Sequence, residues 1–316
     1  MSHIQTKILA ADDAGIAQAV AILRSGGLVS FATETVYGLG ADATNDTAVA
    51  GIFAAKGRPQ FNPLIAHVAD IEMAKRFVEW PDDAEKLAEA FWPGPLSLVL
   101  PLKTGSGISP LVTAGLSSLA IRLPAHPMAR QLLAVFGKPV AAPSANLSGK
   151  ISPTTATHVM AGLGGKIDAV IDGGSCDVGL ESTIVGLLGK PALFRPGGVP
   201  LEAIEDVLDC PLAVDTSPET LQAPGQMSSH YAPGASVRLN ARHWNDGELR
   251  LGFGGVDCDL NLSASGDLIE AAANLFHHLH ALDARGAANI AVSPIPRTGL
   301  GAAINDRLER AAAPRG

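Results

Sequence analysis

"SFATETVYGLGADA", residues 30–43, begins as a buried β-strand and then changes character abruptly. Residues 28–31 are largely apolar, whereas Thr33, Glu34 and Thr35 bring two hydroxyls and one carboxylate together, with glycines close behind. A plain turn requires Gly, Asn, Asp or Pro, not three such side chains at one strand end. In open α/β sheets, ligands bind beyond the carboxyl ends of the strands. The stretch therefore predicts an α/β sheet that holds a small polar ligand at this point.

The composition is that of a globular chain with a substantial core. Hydrophobic residues make up 47% of its 316 residues and charged residues 17%, enough for one large domain or two smaller ones. The formal net charge of −8 argues against an extended nucleic-acid-binding face, although it does not exclude a basic pocket. Direct tRNA binding is therefore not expected on this basis.

The cysteines and the apolar runs indicate the cellular compartment of the protein. Cys176, Cys210 and Cys258 share no C-x-x-C spacing, so they indicate neither a disulfide framework nor a zinc site. A reducing cytoplasm fits them best. The first residues contain no apolar core of signal-peptide length, and no apolar run approaches the ~20 residues of a membrane span. The sequence predicts a soluble cytoplasmic protein with no membrane contact.

The pattern along the chain predicts two domains and a connection. Strand-like and helix-like segments alternate over the first two thirds, which predicts a mixed α/β sheet rather than a regular parallel one. Residues 209–235 are rich in Pro, Ser, Thr, Gln and Gly and lack periodicity. Shorter strand-like segments then resume around one apolar helical pattern. We predict a catalytic domain over 1–209, a linker over 210–235 and a small α/β domain over 236–316.

Common phosphate-binding and catalytic motifs are missing from the sequence. It contains no G-x-x-x-x-G-K-[ST], no G-x-G-x-x-G after a strand, no H-E-x-x-H and no G-x-S-x-G. A nucleotide bound here would therefore have much of its phosphate charge held by side chains.

Five polar clusters stand at the ends of apolar runs. The first is "TETVYG", and the others carry Lys56, Arg58, Asn62 and His67; then Arg122; then Ser144, Asn146, Ser148 and Ser152; then Glu181, Ser182, Thr183 and Arg195. Two cations separated by one glycine suit a polyphosphate, and an arginine within an apolar strand needs an anion. One pocket for an anionic ligand accounts for all five clusters.

Each cluster alone also has a structural interpretation. Lys56 and Arg58 could be favourable charges at a helix C-terminus, and Arg122 could form a structural ion pair. His67 alone is more typical of a packing residue. The three histidines His277, His278 and His280 fall on one predicted helix, but adjacent positions do not share a face, so metal binding is not indicated.

The motifs together resemble a known family. "TETVYGLG", "KGRPxxNPL", "WPGPLSLVL", "IRLPAHP", "APSANLSG", "ESTIV" and "RPGG" resemble, in order, the YrdC-type domain. The C-terminal "NLFHHLHALDARG" and "GLGAAINDRLERAA" are similar to the extra domain of longer family members, and "APGQMSSHYAPGA" to their connecting segment. The resemblance implies a twisted mixed sheet with helices around a concave pocket, followed by a smaller Rossmann-like α/β domain.

Two positions depart from the family pattern. Ala32 stands where the family usually has proline, which affects a turn but removes no ligand group. Ser228 and Ser229 stand where basic and aromatic residues are usual, which weakens any contribution of the linker's charge to the pocket.

The resemblance also implies an activity. Such enzymes condense L-threonine, bicarbonate and ATP to threonylcarbamoyl adenylate and pyrophosphate, and a downstream tRNA threonylcarbamoyltransferase complex uses the product. The resemblance implies catalytic roles for Lys56, Arg58, Ser144 and Asn146. It implies further ATP contacts from Asn62, Ser118, Ser152, Arg195 and Tyr231. It implies a threonine site of Thr35, His67, Arg122 and Ser182. Magnesium is expected with ATP, and Glu34 and Glu181 are candidate ligands that could instead be structural.

Three alternatives stay open at this point. The domain could be a double-stranded RNA-binding module without turnover, as associated with some YrdC-like domains. It could be a carbamoyl-phosphate-linked transferase, although the acylphosphatase and zinc-finger segments of those proteins are missing. In the linker, "SSHYAPGA" contains a histidine and a tyrosine that a passive tether does not need. We therefore predict a lid with Tyr231 on ATP; the alternative is that Tyr231 packs the second domain against the first.

Overall fold

The computed structural model describes residues 5–215 and 230–314, which form two β-sheets with flanking helices. The strands are β1 (Lys7–Ala10), β2 (Val29–Phe31), β3 (Gly38–Asp42), β4 (Ile65–His67), β5 (Leu96–Pro101), β6 (Ser118–Arg122), β7 (Val140–Ala141), β8 (Ala169–Asp172), β9 (Thr183–Gly186), β10 (Ala192–Arg195), β11 (Ala213–Val214), β12 (Ser236–Arg238), β13 (Leu249–Gly252), β14 (Leu260–Asn261) and β15 (Asn289–Val292). The helices are α1 (Asp13–Arg24), α2 (Asp46–Lys56), α3 (Ile71–Phe77), α4 (Asp82–Phe91), α5 (Pro110–Thr113), α6 (Pro127–Phe136), α7 (Ala156–Leu163), α8 (Leu201–Leu208), α9 (Leu268–Asp283) and α10 (Leu300–Ala312).

The first sheet is mixed, as the sequence predicts. Its eleven described strands run in the order β1-β8-β2-β3-β7-β4-β6-β5-β9-β10-β11. β4 pairs parallel with β6, with His67 opposite Arg122, while β5 pairs antiparallel with β6 and parallel with β9. Because β4 and β6 are parallel, their carboxyl ends meet at one edge, and that edge carries two of the predicted site residues.

The opening stretch is a hairpin rather than a strand followed by a loop. β2 pairs antiparallel with β3, with Phe31 opposite Gly38, so residues 32–37 form the connection. β3 contains glycines because there is no room for side chains: a Cβ on Gly40 would lie 2.8 Å from the Phe31 ring and 3.1 Å from the Val29 carbonyl oxygen. Close backbone approach is a usual reason for glycine within a strand.

Helix α2 is bounded by strong local signals at both ends. The Asn45 side chain accepts a hydrogen bond from the amide of Ala48, and Gly57 ends the helix in the left-handed conformation with φ of 61°. Such caps are typical of Asn at the start and of Gly just past the end. The left-handed turn separates Lys56, which points into the protein, from Arg58, which reaches the cavity described below.

The second sheet is smaller and entirely parallel. Its described strands run in the order β12-β15-β13-β14, and α9 and α10 pack against each other beside it. Together with the first sheet, this confirms the predicted fold class. The core of this second part also takes in Val36, Ile151 and Leu180 from the first part. The contact is close: a Cβ on Gly179 would lie 2.6 Å from the carbonyl oxygen of Ala272 in α9.

The connection between the two parts is described only at its ends. Residues 213–214 of the predicted linker form the short strand β11 beside β10, so the linker is not structureless where it begins. The segment 216–229, which includes Ser228 and Ser229, lies outside the described residues. The predicted boundaries 1–209, 210–235 and 236–316 stay a prediction. In the described ranges, 5–215 and 230–314, no helix is both long and apolar enough to cross a membrane.

Candidate functional site

One cavity gathers residues from all five polar clusters. Of the predicted site residues, it is lined by Thr35, Arg58, His67, Arg122, Ser144, Ser182, Arg195 and Tyr231. Lys56, Asn62, Ser118, Asn146 and Ser152 do not line it, although all five are largely or fully buried. Sequence reasoning assigned no role to two further lining residues, Thr33 and His230, and named Glu181 only as a candidate metal ligand.

Arg122 is the centre of one end of the cavity. Its Nε donates to the Gly94 carbonyl oxygen at 3.1 Å, Nη1 donates to Thr35 Oγ1 at 3.0 Å and Nη2 donates to Glu34 Oε1 at 2.6 Å. The other Glu34 oxygen accepts from the amide of Ala125 at 3.0 Å. Burial alone would raise the pKa of Glu34, but the charge and hydrogen bond of Arg122 hold it below its ordinary value. Arg122 thus both forms the ion pair of the structural interpretation and lines the cavity.

The hydroxyls of the hairpin connection orient one another. Thr33 Oγ1 donates to the carbonyl oxygen of Val36 at 2.6 Å and lies 2.7 Å from Thr35 Oγ1. Since the Thr33 hydrogen is used on Val36, the Thr35 hydroxyl donates to Thr33 and accepts from Arg122. This chain of bonds explains why a strand end carries two threonines and a glutamate: they fix the direction of one guanidinium.

His67 lies beside Arg122 at the end of β4 and is uncharged. Burial and, to a smaller extent, the neighbouring charge of Arg122 together lower its pKa to about 3. Within the described residues, its Nδ1 is buried and has no hydrogen-bond partner. Buried polar atoms are normally paired, so an unpaired one on a residue that lines a cavity points to a ligand contact as well as a packing role. The Phe31 ring meets the imidazole edge-on at 6.4 Å between centroids.

Arg58 and Lys56 differ in what they do. Arg58 lines the cavity, and its Nε and Nη2 donate to the carbonyl oxygens of Asn62 and Pro63 at 3.3 and 2.9 Å. Burial lowers its pKa to about 10, so it stays charged at neutral pH. Lys56 does not line the cavity; its Nζ donates to the carbonyl oxygens of Ser144 and Asn146. The lysine therefore ties the end of α2 to the "APSANLSG" loop.

Asn146 and Ser144 belong to that loop but face different ways. Ser144 lines the cavity. Asn146 Nδ2 donates to the carbonyl oxygens of Leu147 and Lys150 at 2.7 and 2.9 Å, while its Oδ1 has no partner within the described residues. The structure thus brings Lys56, Arg58, Ser144 and Asn146 together, but only Arg58 and Ser144 reach the cavity wall.

Ser118 marks the far end of the same strand pair. It is the first residue of β6, and Ala120 pairs with Ile65, so Ser118 lies near Pro63, whose carbonyl accepts from Arg58. Four residues of strand separate Ser118 from Arg122, a distance of about 13 Å. The predicted ATP residue Ser118 and the predicted threonine residue Arg122 therefore lie at opposite ends of β6.

Arg195 holds the "ESTIV" segment against the cavity. Its Nε and Nη2 donate to the carbonyl oxygen of Ser182 at 3.1 and 2.8 Å, and Nη2 also donates to Ser182 Oγ at 3.1 Å. Ser182 Oγ lies 2.8 Å from Ser97 Oγ. The "RPGG" motif has a steric reason, because a Cβ on Gly197 would lie 2.4 Å from the Glu181 carbonyl oxygen.

The C-terminal end of the predicted linker closes one wall. Tyr231 is 1% exposed and has φ of 61°, a conformation that non-glycine residues rarely adopt. Its ring lies 5.5 Å from the Phe276 ring of α9, and it also lines the cavity together with His230. Both contacts weighed for Tyr231, with the cavity and with the second domain, are therefore present.

Among the residues that the structure describes, the acidic side chains and the histidines do not gather into a metal site. Glu34 is paired with Arg122, and Glu181 with Arg307 and Ser152, so neither carboxylate fits the role of a magnesium ligand in this arrangement. His280 stacks on His158 at 3.9 Å instead of converging with its neighbours. Across 5–215 and 230–314, no group of three or more His, Cys, Asp or Glu residues could hold a metal ion.

Fold and cavity together define a class of protein. A mixed α/β sheet carries a recess whose wall holds Arg58, Arg122 and Arg195, an uncharged histidine and several hydroxyls. Such a wall suits a small ligand with more than one negative group and little apolar surface.

Comparison with known proteins gives the family. A family profile of the Sua5/YciO/YrdC type, described as "Telomere recombination", matches residues 21–197. A second, described as "Threonylcarbamoyl-AMP synthase, C-terminal domain", matches residues 199–313. The chain belongs to the Sua5/YciO/YrdC family and resembles its longer, two-domain members, which confirms the resemblance inferred from the motifs.

Individual relatives agree along nearly the whole chain. The threonylcarbamoyl-AMP synthase of Pyrococcus abyssi is 42% identical, over 93% of this chain and 92% of the relative. That of Bacillus subtilis is also 42% identical, over 98% of this chain and 96% of the relative. The crystal structure of P. abyssi Sua5 complexed with L-threonine is 39% identical, with a TM-score of 0.90 and coverage of 97% of this chain and 98% of that one.

Proposed function

We propose that this chain is a threonylcarbamoyl-AMP synthase, which condenses L-threonine, bicarbonate and ATP to threonylcarbamoyl-AMP and pyrophosphate. The observation that carries the proposal is the single cavity with Arg122 and His67 at one end and Arg58, Ser144 and Arg195 elsewhere on its wall. An amino acid and a polyphosphate are anions of different shape, and this wall offers separate cationic groups for each. The names of the relatives and the threonine bound to the P. abyssi protein support the same assignment.

Threonine is proposed to bind at the Arg122 end. Its carboxylate would take hydrogen bonds from the Arg122 guanidinium, which the ion pair with Glu34 and the bond to Thr35 hold in a fixed direction. The unpaired Nδ1 of His67 is available to the threonine hydroxyl or amine. Ser182 would complete the site from the opposite strand end, where Arg195 fixes it.

The proposed reaction needs no protein nucleophile. The amine of threonine adds to carbon dioxide derived from bicarbonate and loses a proton, giving a carbamate. A carbamate oxygen then attacks the α-phosphorus of ATP, the α–β phosphoanhydride bond breaks, and pyrophosphate leaves. Cys176, the described cysteine nearest the "ESTIV" segment in sequence, is an unsuitable nucleophile because burial raises the pKa of its thiol to about 12.

The chain's contribution is to position the reactants and to balance charge. We propose that Arg58 and Arg195 contact the phosphates of ATP, with Ser144 as a hydroxyl donor between them. Preorganised donors of this kind stabilise the charge that moves onto the leaving pyrophosphate. Lys56 and Asn146 would act one step away, by holding the loop that carries Ser144. Asn62 and Ser118 would bind at the Arg58 side of the site, and Tyr231 and Ser152 at the wall formed with the second domain.

Magnesium and a tRNA-modifying partner complete the proposal. Magnesium is expected to arrive on the ATP phosphates, because Glu34 and Glu181 are already paired with arginines. The adenylate is a reactive mixed anhydride, so a downstream tRNA threonylcarbamoyltransferase complex would consume it. Neither expectation depends on a protein-bound metal.

Incubation with ATP, bicarbonate and L-threonine tests the function directly. Mass spectrometry should detect threonylcarbamoyl-AMP together with pyrophosphate release that requires both threonine and bicarbonate. Pyrophosphate or AMP formation that ignores threonine would contradict the proposal. Salt-dependent binding of double-stranded RNA without ATP turnover would favour the RNA-binding alternative instead.

A further inference from the structure

Arg307 is a charged residue of the second part buried at the site of the first. It lies on α10, and its side chain is 0% exposed. Arginine is almost never fully buried unless it is paired, so its contacts indicate what it is there to do. It lies within "GLGAAINDRLERAA", the stretch that resembles the extra domain of longer family members, but the sequence analysis assigns it no role in the site.

Three contacts of Arg307 lead to the cavity wall, and a fourth, from its Nη1, is made to the neighbouring Asp306 of its own helix. Its Nε donates to Glu181 Oε2 at 2.7 Å, and its Nη2 donates to the carbonyl oxygen of Pro196 at 3.0 Å. The guanidinium carbon lies 5.2 Å from the centre of the Tyr231 ring. The other Glu181 oxygen accepts from Ser152 Oγ at 2.5 Å. One side chain thus reaches three segments of the wall.

Glu181 is the reason that a cation is needed there. It lines the cavity and directly precedes Ser182, which Arg195 holds. Burial alone would raise the pKa of Glu181, but the charges of Arg307 and then Arg195 hold it below its ordinary value, so the carboxylate is ionised. Nearby like charges repel strongly in a poorly hydrated site, so an uncompensated carboxylate would weaken the binding of a polyphosphate.

We infer that Arg307 is a positioning residue, which lets the pocket bind ATP by neutralising Glu181 and by fixing the backbone at Pro196. The inference rests on the proposed function, because it assumes that the polyphosphate binds in this cavity. It assigns the second domain a defined part in the site: it supplies the cation without which Glu181 opposes the substrate.

Opposite substitutions within the pair test the inference in the full chain. Arg307→Met should weaken ATP binding at least about tenfold, since removing one partner of a buried charge pair leaves the other unpaired. Threonine binding should change much less, because free threonine has no net charge. Glu181→Gln should bind ATP as tightly as the wild type or more tightly. The double variant Glu181→Gln/Arg307→Met should recover most of the loss. Calorimetric titration with ATP and with threonine, and KM for each, give these values.

A matched control is Arg297, which lies just before α10 in the chain. Arg297 pairs with Glu309 of α10 at the surface, with side chains 65% and 48% exposed. Arg297→Met removes the same charge and should leave ATP affinity unchanged. Thermal unfolding of every variant shows whether it folds. If Arg307→Met does not fold, the test relies on Glu181→Gln and on the double variant. The double variant removes both charges, so it leaves no member of the pair buried alone.

The outcomes separate this inference from the proposed function. If the wild type makes the adenylate but Arg307→Met binds ATP normally, or loses ATP and threonine binding equally, Arg307 has no electrostatic part in the site and only this inference fails. Weaker ATP binding by Glu181→Gln would overturn it too. If the wild type binds no ATP at all, the proposed function fails and this inference fails with it.

Discussion

At the scale of single residues, the guanidinium groups of the cavity are held before any ligand arrives. Arg122 is fixed by Gly94, Thr35 and Glu34, and Arg58 by its own loop. Holding a donor in place costs conformational entropy during folding rather than during binding. A pocket of preset arginines therefore favours ligands whose negative groups match its spacing.

Substitution of Arg58 gives the most direct test of the proposed phosphate contacts. Arg58→Ala should reduce pyrophosphate release by about 100-fold, or ~3 kcal/mol, because a charge-assisted contact to a transferring phosphate is lost. Circular dichroism and thermal unfolding should show a folded protein, while Arg58→Lys, which keeps the charge without the fork, should retain part of the activity. Near wild-type turnover by a folded Arg58→Ala would show that the phosphate role is wrong.

The His67 end of the cavity predicts selectivity for a hydroxyl amino acid. A site that pairs a buried polar group with the substrate hydroxyl discriminates against an analogue that lacks it. L-Alanine should therefore give at least about 10-fold less adenylate than L-threonine at equal concentration, a modest estimate for a hydroxyl-reading site. His67→Phe should narrow that ratio by removing Nδ1. Equal yields from the two amino acids would refute the proposed amino-acid site.

At the scale of elements, the sequence predicts the segments that alternate clearly and misses those that do not. α2, α4 and α8 are among the helix-like segments of the first two thirds of the chain, because each carries apolar residues at helical spacing. β3 was not predicted, because its glycines are needed to leave room for the Phe31 ring. Only the pairing of β2 with β3 shows that contact. α1 carries apolar residues at helical spacing and an Asp12 cap, a signal that could have found it.

The candidate site, too, could be predicted from the sequence only in part. Polar residues at strand ends could be predicted to converge, because parallel strands share an edge. What each one contacts could not: Lys56 turns inward to backbone carbonyls although it stands two residues from Arg58. The pairing of Arg307 with Glu181 could not be found from the sequence, because the two residues are 126 positions apart and belong to different parts of the fold.

The end of the linker has its own prediction. Tyr231 lines the cavity and packs on Phe276, so the ring has both a ligand-facing and a structural role. Tyr231→Phe keeps the packing and should retain most of the stability. Tyr231→Ala removes the ring, so it should lower the stability and also release AMP during turnover, because water then reaches and hydrolyses the mixed anhydride. Chromatography of AMP against adenylate measures the leak, and an unchanged ratio in Tyr231→Ala would rule out the lid.

At the scale of the whole molecule, the two parts share one boundary of buried apolar surface. The second core contains Val36, Ile151, Leu180 and Tyr231 beside the residues of α9 and α10. Interfaces between domains of one chain often allow relative motion, unless they are large and hydrophobic. This one adds a buried ion pair to apolar contacts, so we expect the two parts to move little as rigid units.

Shared burial predicts that the two parts unfold together. Phe276→Ala removes a fully buried ring from the second core and should lower the free energy of unfolding by about 3–5 kcal/mol. Because the ring supports Tyr231, pocket and second domain should lose stability in one calorimetric transition rather than two. Exposed Ile269→Ala, on the same helix, is the matched control and should change little. Two separate calorimetric transitions, of which Phe276→Ala shifts the midpoint temperature of only one, would contradict a shared core.

The buried pair between Arg307 and Glu181 also limits how such a chain can be inherited. The two positions stand 126 residues apart, in segments that recombination could easily separate. A gene that exchanged its last hundred codons with a distant cousin would keep the glutamate and risk losing the arginine. Its product could still fold, yet it would carry an unpaired negative charge in the cavity that is proposed to bind ATP. Lineages that shed or swap this tail would have to revise position 181 in the same step, or soon after.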